Sequence, residues 1–402
     1  MWTDAPVVIV GAGPAGLVLG FILHRAGVPF TIVERRARDQ IGGPPKAGSI
    51  DYRTVELLTR EGISPGIVEF TVRNGVCEFR TPDDRVILDY GALTGGRPHF
   101  ILPQQIVVER LCQGAVAAGF DIRFETSVAQ AERRVGQRAT VVVDAAGQRH
   151  ELHPHLLVGC DGARSSIAPL IDARTYEYAP PARLLAMIGD TPPIARHTVY
   201  ASHPEGFAAQ MRRTETQTRF YLEIDDAIED WSAERARGAL IKRLGLGREL
   251  DDVRLGDFSI VDLKVRMRDS MQQDDVFLVG DAAHVISPYG GKGMNLAIAD
   301  AVELGHGIAE YLSGGDDRAR LDAYSSTRLP IIWRTQAFSN WMMRTVLTNA
   351  ATSTADAPMF AHHLGRGWVS SLQTDPLLAQ WFAHAYAGAD PRAELDGVPP
   401  HS

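Results

Sequence analysis

The sequence predicts an α/β fold, α+β overall, in which a parallel sheet is combined with a second region made mostly of β-strands. Apolar, β-branched runs at residues 7–10, 156–159 and 276–279 show no alternation, as expected for parallel strands that are buried on both faces. Each run leads into a glycine-containing turn. Between residues 207 and 224 the pattern instead alternates with period two around a polar loop, which predicts an antiparallel hairpin.

The first glycine-rich turn has the spacing of a dinucleotide-binding motif. Gly11, Gly13 and Gly16 follow the first strand, and a predicted helix leads to a second strand at residues 30–33. The first glycine permits a tight turn, the second lets a pyrophosphate approach the backbone, and the third allows close helix–strand packing. Glu34 ends the second strand, where a carboxylate can accept hydrogen bonds from a ribose diol. We therefore expect a dinucleotide at the N-terminus of this helix.

A second strand-end turn favours FAD over NAD. Gly280 and Asp281 follow the run at 276–279, and more glycines precede a predicted amphipathic helix from residue 294 to about residue 312. Another apolar run ends in Asp161. Acids at these strand ends can accept hydrogen bonds from the ribityl or ribose hydroxyls of a long cofactor. A plain NAD dehydrogenase needs only the first motif, so it leaves the second turn unexplained.

The predicted hairpin carries a candidate anion site. Its strands are expected at residues 207–213 and 219–224, and apolar residues of the second strand alternate with Arg219, Tyr221 and Glu223. Arg213 ends the first strand. An arginine fork binds a carboxylate bidentately, and a phenol adds a further hydrogen bond. The pattern alone leaves open whether these side chains line a pocket or cover an exposed sheet face.

Together these motifs resemble the 4-hydroxybenzoate 3-monooxygenase family of flavin-dependent aromatic hydroxylases. The segments DTPP at 190–193, YASHPEGFA at 200–208 and GDAAHVISPYGGKGMNLA at 280–297 carry the specific likeness, which runs from residue 7 to about residue 391. The resemblance implies FAD as cofactor and NAD(P)H and O₂ as co-substrates. It also implies hydroxylation of a 4-hydroxybenzoate-type acid through a C4a-hydroperoxyflavin, with 3,4-dihydroxybenzoate as the first expected product.

The resemblance also implies roles for individual residues. Arg213, Tyr221 and Tyr200 match the contacts of the substrate carboxylate and phenol, and Tyr386 matches a tyrosine that relays the phenol proton through Tyr200. Pro288 matches a proline whose carbonyl lies beside the substrate ring. The residues expected to contact FAD are Gly11, Gly13, Gly16, Glu34, Arg35, Lys46, Gln104, Asp161, Asp281, Gly293, Met294 and Asn295.

Three positions depart from the family pattern. Met211 stands where the family has a serine that binds the carboxylate, so one hydrogen-bond donor is lost and apolar volume is added. Lys46 replaces an arginine that contacts cofactor phosphate. This change keeps the positive charge but loses the bidentate hydrogen bonding of a guanidinium. Arg73 stands where the family's proton relay ends on a histidine, so the sequence does not indicate which group releases the proton to solvent. The change at Met211 leaves a substituted substrate, such as 3-amino-4-hydroxybenzoate hydroxylated at C2, as an alternative.

The hydride donor is less strongly indicated. The family binds it transiently, without a second Rossmann fold. Arg35 and Arg36 favour a 2′-phosphate, whereas other family contacts are altered at Gln40, Arg164 and Lys264. On these residues the sequence slightly favours NADPH over NADH as the hydride donor.

Composition limits the classes of partner. A formal net charge of -8 argues against nucleic acid, and no apolar run is long enough to cross a membrane. No basic segment typical of a signal peptide precedes the first strand. The three cysteines are scattered without CxxC spacing, and His362 and His363 diverge on a helix, so no metal site is expected. These features predict a cytoplasmic enzyme, with a homodimer left open.

The predicted organisation is discontinuous. A Rossmann-like FAD-binding domain is expected from residues 1–72, 98–180 and 268–350, interleaved with a β-sheet substrate domain from 73–97 and 181–267. Residues 351–402 are expected to form a helical C-terminal region. Two alternatives share the flavin motifs. A flavin halogenase is disfavoured because no WxWxIP-type segment is present, whereas the sequence does not exclude a non-catalytic flavin-binding sensor.

Overall fold

The computed structural model describes residues 5–43, 48–63, 71–134, 137–180, 182–224, 231–313, 317–347 and 357–388. Within them the strands, in chain order, are β1 Val7–Val10, β2 Phe30–Val33, β3 Ser49–Ile50, β4 Val72–Asn74, β5 Val76–Arg80, β6 Arg85–Asp89, β7 His99–Ile101, β8 Ile122–Arg123, β9 Thr126–Glu132, β10 Thr140–Ala145, β11 Gln148–Leu152, β12 Leu156–Gly159, β13 Thr175–Tyr178, β14 Arg183–Gly189, β15 Thr198–Ala201, β16 Ala208–Arg212, β17 Thr218–Ile224, β18 Leu255–Asp262, β19 Val265–Arg268, β20 Gln272–Gln273, β21 Val276–Leu278 and β22 His284–Val285.

The α-helices of the same residues are α1 Pro14–Arg25, α2 Tyr52–Arg60, α3 Tyr90–Leu93, α4 Gln104–Ala117, α5 Ala233–Leu244, α6 Gly293–Ser313, α7 Ala319–Asp322, α8 Tyr324–Val346, α9 Ala357–Thr374 and α10 Pro376–Ala387. No helix in these described ranges is long and apolar enough to span a bilayer.

The predicted parallel sheet is present and has the order β20-β21-β12-β1-β2-β8. Its central strand β1 pairs in parallel with β12 on one side and β2 on the other. All four residues of β1 are buried, which explains the unbroken apolar run. The next strand along the chain, β2, lies on one side of β1, whereas the much later strands β12 and β21 lie on the other. At such a reversal of strand order a crevice opens beyond the carboxyl ends of the strands, where ligands of such sheets bind.

A seven-stranded sheet with the order β18-β14-β17-β16-β15-β5-β6 forms the second region. Its neighbours are antiparallel, except that β15 runs parallel to β5. The predicted hairpin is β16–β17, with Met211 opposite Arg219 and Ala209 opposite Tyr221. On this hairpin Arg219 and Glu223 are buried, and Arg213 and Tyr221 are half-buried.

Three apolar cores hold these layers, one of them between the seven-stranded sheet and helix α5. Another surrounds the parallel sheet and includes side chains of α1, α4 and α6. The third lies between the seven-stranded sheet and the helices α8, α9 and α10. The fold is therefore the expected mixture of a parallel α/β layer, an antiparallel sheet and a helical C-terminal region.

Candidate active site

One cavity of about 1060 Å³ extends from the carboxyl ends of the parallel strands to one face of the seven-stranded sheet. Most of the residues predicted from the sequence line this one space, although their individual roles remain predictions. They are Gly11, Gly13, Glu34, Arg35, Gln104, Asp161, Tyr200, Met211, Arg213, Tyr221, Asp281, Pro288, Gly293, Met294 and Tyr386. Residues almost four hundred positions apart in the chain therefore meet around one volume.

The glycines of the first turn are required by close backbone contacts. Gly11 has φ of +104°, and a Cβ there would lie 2.5 Å from the carbonyl oxygen of Cys160. A Cβ on Gly16 would lie 2.0 Å from the carbonyl oxygen of Gly11. Gly13 differs, because a Cβ there would meet no atom within 4 Å. Gly11 and Gly16 therefore shape the turn, and Gly13 leaves space in front of helix α1.

The Glu34 carboxylate is held by the same turn. Its Oε2 accepts a hydrogen bond from the Ala12 N–H at 2.8 Å, and its Oε1 accepts one from the Arg36 N–H at 2.9 Å. The side chain is buried yet lines the cavity. These backbone donors fix the carboxylate at the end of β2, where the sequence predicts a contact with a ribose.

A buried ion network fixes the second turn. Asp300, with no exposed surface, accepts hydrogen bonds from Arg328 Nε at 2.7 Å and from His284 Nε2 at 2.6 Å. The same carboxylate accepts the Gly280 N–H at 3.2 Å. Arg328 and His284 lower the pKa of Asp300 against the opposing effect of burial, so the group stays ionised. Asp281, the next residue after Gly280, is thereby held at the cavity wall.

Two phenols meet at the sheet face of the cavity. The hydroxyls of Tyr200 and Tyr386 lie 2.8 Å apart, and either can be the donor. Both residues are almost fully buried, at 2% and 3% exposure. Burial raises the pKa of Tyr200 and of Tyr386, so both phenols are neutral near pH 7. A pair of neutral, hydrogen-bonded hydroxyls can pass a proton without carrying a lasting charge.

The neighbouring part of the cavity is cationic. Burial lowers the pKa of Arg213, and the positive charge of Arg219 lowers it further. The Arg219 guanidinium also lies 5.3 Å from the centre of the Tyr221 ring. A guanidinium whose charge is disfavoured in this way is one that a bound anion would stabilise. Met211, opposite Arg219, adds an apolar wall.

A charged cluster lies beneath Tyr386, and sequence reasoning missed it. Lys292 Nζ lies 3.0 Å from Asp51 Oδ1 and donates to the backbone carbonyl of Tyr386. The Nε2 of His99 donates to the same carbonyl and lies 3.3 Å from Asp51 Oδ1. All three side chains are buried. Lys292, between two glycines of the second turn, was the one residue of this cluster that the local sequence could have indicated. The sequence around Asp51 and His99 contains no comparable motif.

Three predicted residues lie outside the cavity lining. Gly16 packs under the first turn, and Asn295 stands behind the second, where its side chain accepts the Asp51 N–H and donates to Gly291 O. Arg73 is exposed on β4, with its guanidinium 5.8 Å from the centre of the Phe100 ring. Lys46 lies outside the described residues.

Comparisons with known proteins agree with this geometry. Residues 4–339 match a family described as the FAD binding domain. A p-hydroxybenzoate hydroxylase from Acinetobacter baylyi is 30% identical over 345 residues, which cover 84% of each chain. The chain belongs to the family of FAD-dependent aromatic hydroxylases.

Other relatives show how varied the substrates of such enzymes are. A tetracycline-pathway monooxygenase from Streptomyces rimosus, named for 12-dehydrotetracycline and anhydrotetracycline, is 29% identical over 353 residues, or 81% of this chain and 66% of its own. Among solved structures, a p-nitrophenol 4-monooxygenase from Pseudomonas putida has a TM-score of 0.77 at 21% identity, covering 95% of this chain and 98% of its own. A Diels-Alderase of pyrroindomycin biosynthesis reaches 0.79 at 23% identity, covering 96% and 80%. Likeness of fold alone therefore does not fix the substrate.

The residues of this hydroxylase fit FAD. The space in front of Gly13 suits a pyrophosphate at the N-terminus of α1. In Asp161, Oδ2 accepts from the N–H and the hydroxyl of Ser166, whereas the buried Oδ1 has no hydrogen-bond partner among the described residues. An acceptor in the wall of this cavity suits a hydroxyl of the cofactor chain. The enzyme uses FAD, and NAD(P)H is the co-substrate typical of its family.

Proposed function

We propose that the enzyme hydroxylates a 4-hydroxybenzoate-type aromatic acid beside its phenol, with NAD(P)H and O₂ as co-substrates. The first expected reaction is 4-hydroxybenzoate to 3,4-dihydroxybenzoate. The observation that carries this proposal is the Tyr200–Tyr386 hydroxyl pair, at 2.8 Å, in the same cavity as Arg213 and Tyr221. A phenol-binding end and a carboxylate-binding end then face one small aromatic ring.

Each residue has a role in this proposal. Arg213 binds the carboxylate through its fork, and Tyr221 adds a hydrogen bond. Tyr200 accepts the substrate's phenol proton while its own proton moves to Tyr386, and Tyr386 releases its own hydroxyl proton to water, so that the ring carbon beside the phenolate becomes nucleophilic. Pro288, at the cavity wall, lies beside the ring.

FAD, when bound, accepts hydride from NAD(P)H and delivers one oxygen atom of O₂ to the ring. The protein must keep water from the reacting oxygen, since water favours release of H₂O₂ instead of hydroxylation. The buried tyrosine pair and the apolar side chains of Phe207 and Met211 in the cavity wall support this exclusion. We further propose that the cofactor is held by residues 1–72, 98–180 and 268–350, and the substrate by residues 73–97 and 181–267.

The proposed hydride donor is NADPH rather than NADH. Arg35 and Arg36 line the same cavity, which supports a phosphate-bearing donor. Lys264 forms an ion pair with Glu177 at 2.8 Å, so its ammonium group is already paired with a carboxylate. Equal kcat/KM values for NADH and NADPH would contradict this preference.

A ring-substituted relative is the second candidate substrate. Met211 supplies no hydrogen bond to a carboxylate and occupies the wall opposite Arg219, which supports a ring shifted from the family's position. An amino-4-hydroxybenzoate, with C2 as an alternative site of hydroxylation, belongs to this class.

We also propose a cytoplasmic homodimer. Exposed apolar side chains cluster on the C-terminal helices, with Phe360 at 62% and Leu377 at 78% exposure, and a second copy is the partner that we expect to cover them. The three cysteines are free and buried, which suits a reducing compartment.

Substrate-stimulated oxidation tests the function. Purified enzyme loaded with FAD is mixed with NADPH in air, with and without 4-hydroxybenzoate, and both NADPH loss and aromatic products are followed. We expect 4-hydroxybenzoate to accelerate oxidation and to give a hydroxylated product. A non-catalytic flavin sensor would bind FAD but show no such acceleration. If 4-hydroxybenzoate yields only H₂O₂ while an amino derivative is hydroxylated, the second candidate replaces the first.

A further inference from the structure

Tyr289 is a buried tyrosine of the substrate cavity with no role in the reaction described above. It is 5% exposed and lines the cavity. Its hydroxyl oxygen is buried and has no hydrogen-bond partner among the described residues. Buried hydroxyls are nearly always hydrogen-bonded, because leaving one unpaired loses its interactions with water. An unpaired one in a cavity wall therefore points to a ligand.

Tyr289 lies in a β-turn beside the seven-stranded sheet. Pro288 O accepts the Gly291 N–H at 3.0 Å, which closes a turn with Tyr289 at its second position. Gly290 occupies the third position with φ of +82°, the conformation that a type II turn reserves for glycine. The Tyr289 ring lies 5.7 Å from the ring of Phe207, a residue of the cavity wall. The turn thus presents the Tyr289 ring to Phe207 at the cavity wall.

Tyr289 lies over the sheet face that carries both ends of the proposed substrate site. Tyr200 and Tyr221 each pair with Ala209 and so share that face. The Phe207 ring, which contacts Tyr289, also lies 6.4 Å from the ring of Tyr200. Burial raises the pKa of Tyr289 well above its ordinary value, and Glu223, Tyr200 and Tyr221 raise it further. Because Tyr200 faces the phenol and Tyr221 the carboxylate, a group between them meets the edge of the aromatic ring.

The buried Glu223 carboxylate indicates which kind of ligand group would bind the Tyr289 hydroxyl. Glu223 is 1% exposed, and its Oε2 accepts the Phe207 N–H at 2.7 Å. Because the Phe207 ring lies 5.7 Å from the ring of Tyr289, this contact brings a buried carboxylate to the Tyr289 side of the cavity, away from the strand end that carries Arg213. A carboxylate on that side favours a hydroxyl partner that donates a hydrogen bond over one that only accepts. An aromatic amine, with two N–H donors, suits this position better than a carboxylate or a halogen.

We propose that Tyr289 is a specificity-determining residue, whose hydroxyl accepts a hydrogen bond from an amino group on the ring of a 4-hydroxybenzoate-type substrate. This inference rests on the proposed function and narrows its substrate class. It concerns binding only and assigns Tyr289 no part in proton transfer.

The test measures binding without turnover. FAD-loaded enzyme is titrated anaerobically, without NADPH, with three compounds, and the flavin absorbance or fluorescence change gives each Kd. The compounds are 4-hydroxybenzoate, 3-amino-4-hydroxybenzoate and 3-methyl-4-hydroxybenzoate. The methyl compound matches the amine in size but has no N–H. We expect the amine to bind about 10- to 100-fold more tightly than the methyl compound, as one recovered buried hydrogen bond implies.

Tyr289→Phe removes only the hydroxyl. This variant should bring the Kd of the amine to that of the methyl compound and leave the Kd of 4-hydroxybenzoate unchanged within about twofold. Tyr324→Phe is the matched control, because Tyr324 is also buried but donates to the Leu278 carbonyl outside the cavity lining. The preference for the amine should survive in this control.

Each outcome is decisive. Equal affinity of wild-type enzyme for the amino and methyl compounds, or a preference that persists in Tyr289→Phe, overturns the role of Tyr289 while leaving the proposed function intact. If wild-type enzyme binds none of the three compounds at millimolar concentration, the proposed function fails first and this inference fails with it.

Discussion

Lys292 and Asp51 form an ion pair at 3.0 Å in which the side chains are only 2% and 7% exposed. Burial raises the pKa of Asp51, but Lys292 and His99 lower it more strongly, so the pair is ionised. Lys292 also donates to the carbonyl of Tyr386 near the carboxyl end of α10, where a positive charge is favourable. The pair therefore joins the cofactor turn to the helix that carries one of the two relay tyrosines.

Asp51→Asn should destabilise the enzyme strongly. The substitution leaves Lys292 buried without its carboxylate, and loss of one partner of a buried ion pair typically costs about 3–5 kcal/mol. Urea unfolding at pH 7 should show a decrease of this order in the free energy of unfolding. Glu177→Gln is the control, since Glu177 pairs with Lys264 at 2.8 Å on the surface, with both side chains about half exposed. Its free energy of unfolding should match that of the wild-type enzyme within the error of the measurement, because exposed ion pairs contribute little to stability. Equal effects of the two substitutions would contradict this account.

The two glycines of the first motif should respond differently to alanine. Gly16→Ala places a Cβ 2.0 Å from the Gly11 carbonyl oxygen, so the turn must shift, and both thermal stability and FAD affinity should fall. Gly13→Ala meets no atom within 4 Å, and the backbone there is extended at φ −73°, ψ −175°. Its apoprotein should therefore unfold at the wild-type temperature, while FAD binds about tenfold or more weakly because the methyl group occupies the space for pyrophosphate. Circular dichroism melting and flavin fluorescence titration separate the two results.

Local motifs explain what the sequence could predict. Both glycine-rich turns follow buried strands directly, so spacing alone located Gly11 and Asp281 at the cavity. The Asp51–Lys292 contact instead spans 241 positions and depends on how α2 and the second turn pack together. No pattern within either segment encodes that packing.

The second sheet shows the same limit. Alternation placed Arg219 and Tyr221 on one face of β17, but it did not show whether that face is exposed. Burial of the face follows from the neighbouring strands and from the turn at Tyr289, which come from distant parts of the chain. The orientation of a single hydroxyl, such as that of Tyr289, is likewise set by packing.

Glu78 should give part of the stability a pH dependence. Burial raises its pKa, but hydrogen bonds from His197 at 2.9 Å and Arg80 at 2.6 Å outweigh burial and lower the pKa to about 2. A depressed folded-state pKa contributes stability that is complete above the unfolded value, near 4.5, and is lost as the pH falls from there towards 2. Between pH 7 and pH 4 the loss should be on the order of 1 kcal/mol.

Urea unfolding of wild-type enzyme and Glu78→Gln at both pH values isolates this contribution. Other carboxylates titrate equally in the two proteins, so the destabilisation by Glu78→Gln should be smaller at pH 4 than at pH 7. A difference that is the same at both pH values, or larger at pH 4, would show that Glu78 has an ordinary pKa in the folded state.

Tyr200→Phe should separate NADPH oxidation from hydroxylation. The ring still fills its place, but the substrate phenol loses the hydroxyl through which its proton reaches Tyr386. The rate of product formation should fall by about 10²- to 10⁴-fold, while 4-hydroxybenzoate still accelerates NADPH oxidation and H₂O₂ accumulates. Tyr178→Phe is the control, because Tyr178 is 39% exposed and lies outside the cavity lining. Product formation at the wild-type rate in Tyr200→Phe would refute the relay.

Arg213→Ala should abolish most of the affinity for the substrate. A guanidinium in a partly buried cationic region is stabilised by an anion, and the charge of Arg219 beside it increases that demand. Loss of one partner of a desolvated charge pair, typically about 3–5 kcal/mol, corresponds to roughly two to four orders of magnitude in Kd. FAD affinity should stay near normal, since Arg213 lies on the hairpin rather than on either cofactor turn.

Two further measurements make the Arg213 prediction specific for the carboxylate. Arg213→Lys keeps the charge but loses the fork, so its Kd for 4-hydroxybenzoate should lie between those of wild-type enzyme and Arg213→Ala. 4-Hydroxybenzamide has no carboxylate, and its affinity should therefore change little, or rise, when Arg213 is replaced by alanine. Equal losses of affinity for the acid and the amide would mean that the substitution distorts the cavity, and the carboxylate would then have to bind elsewhere.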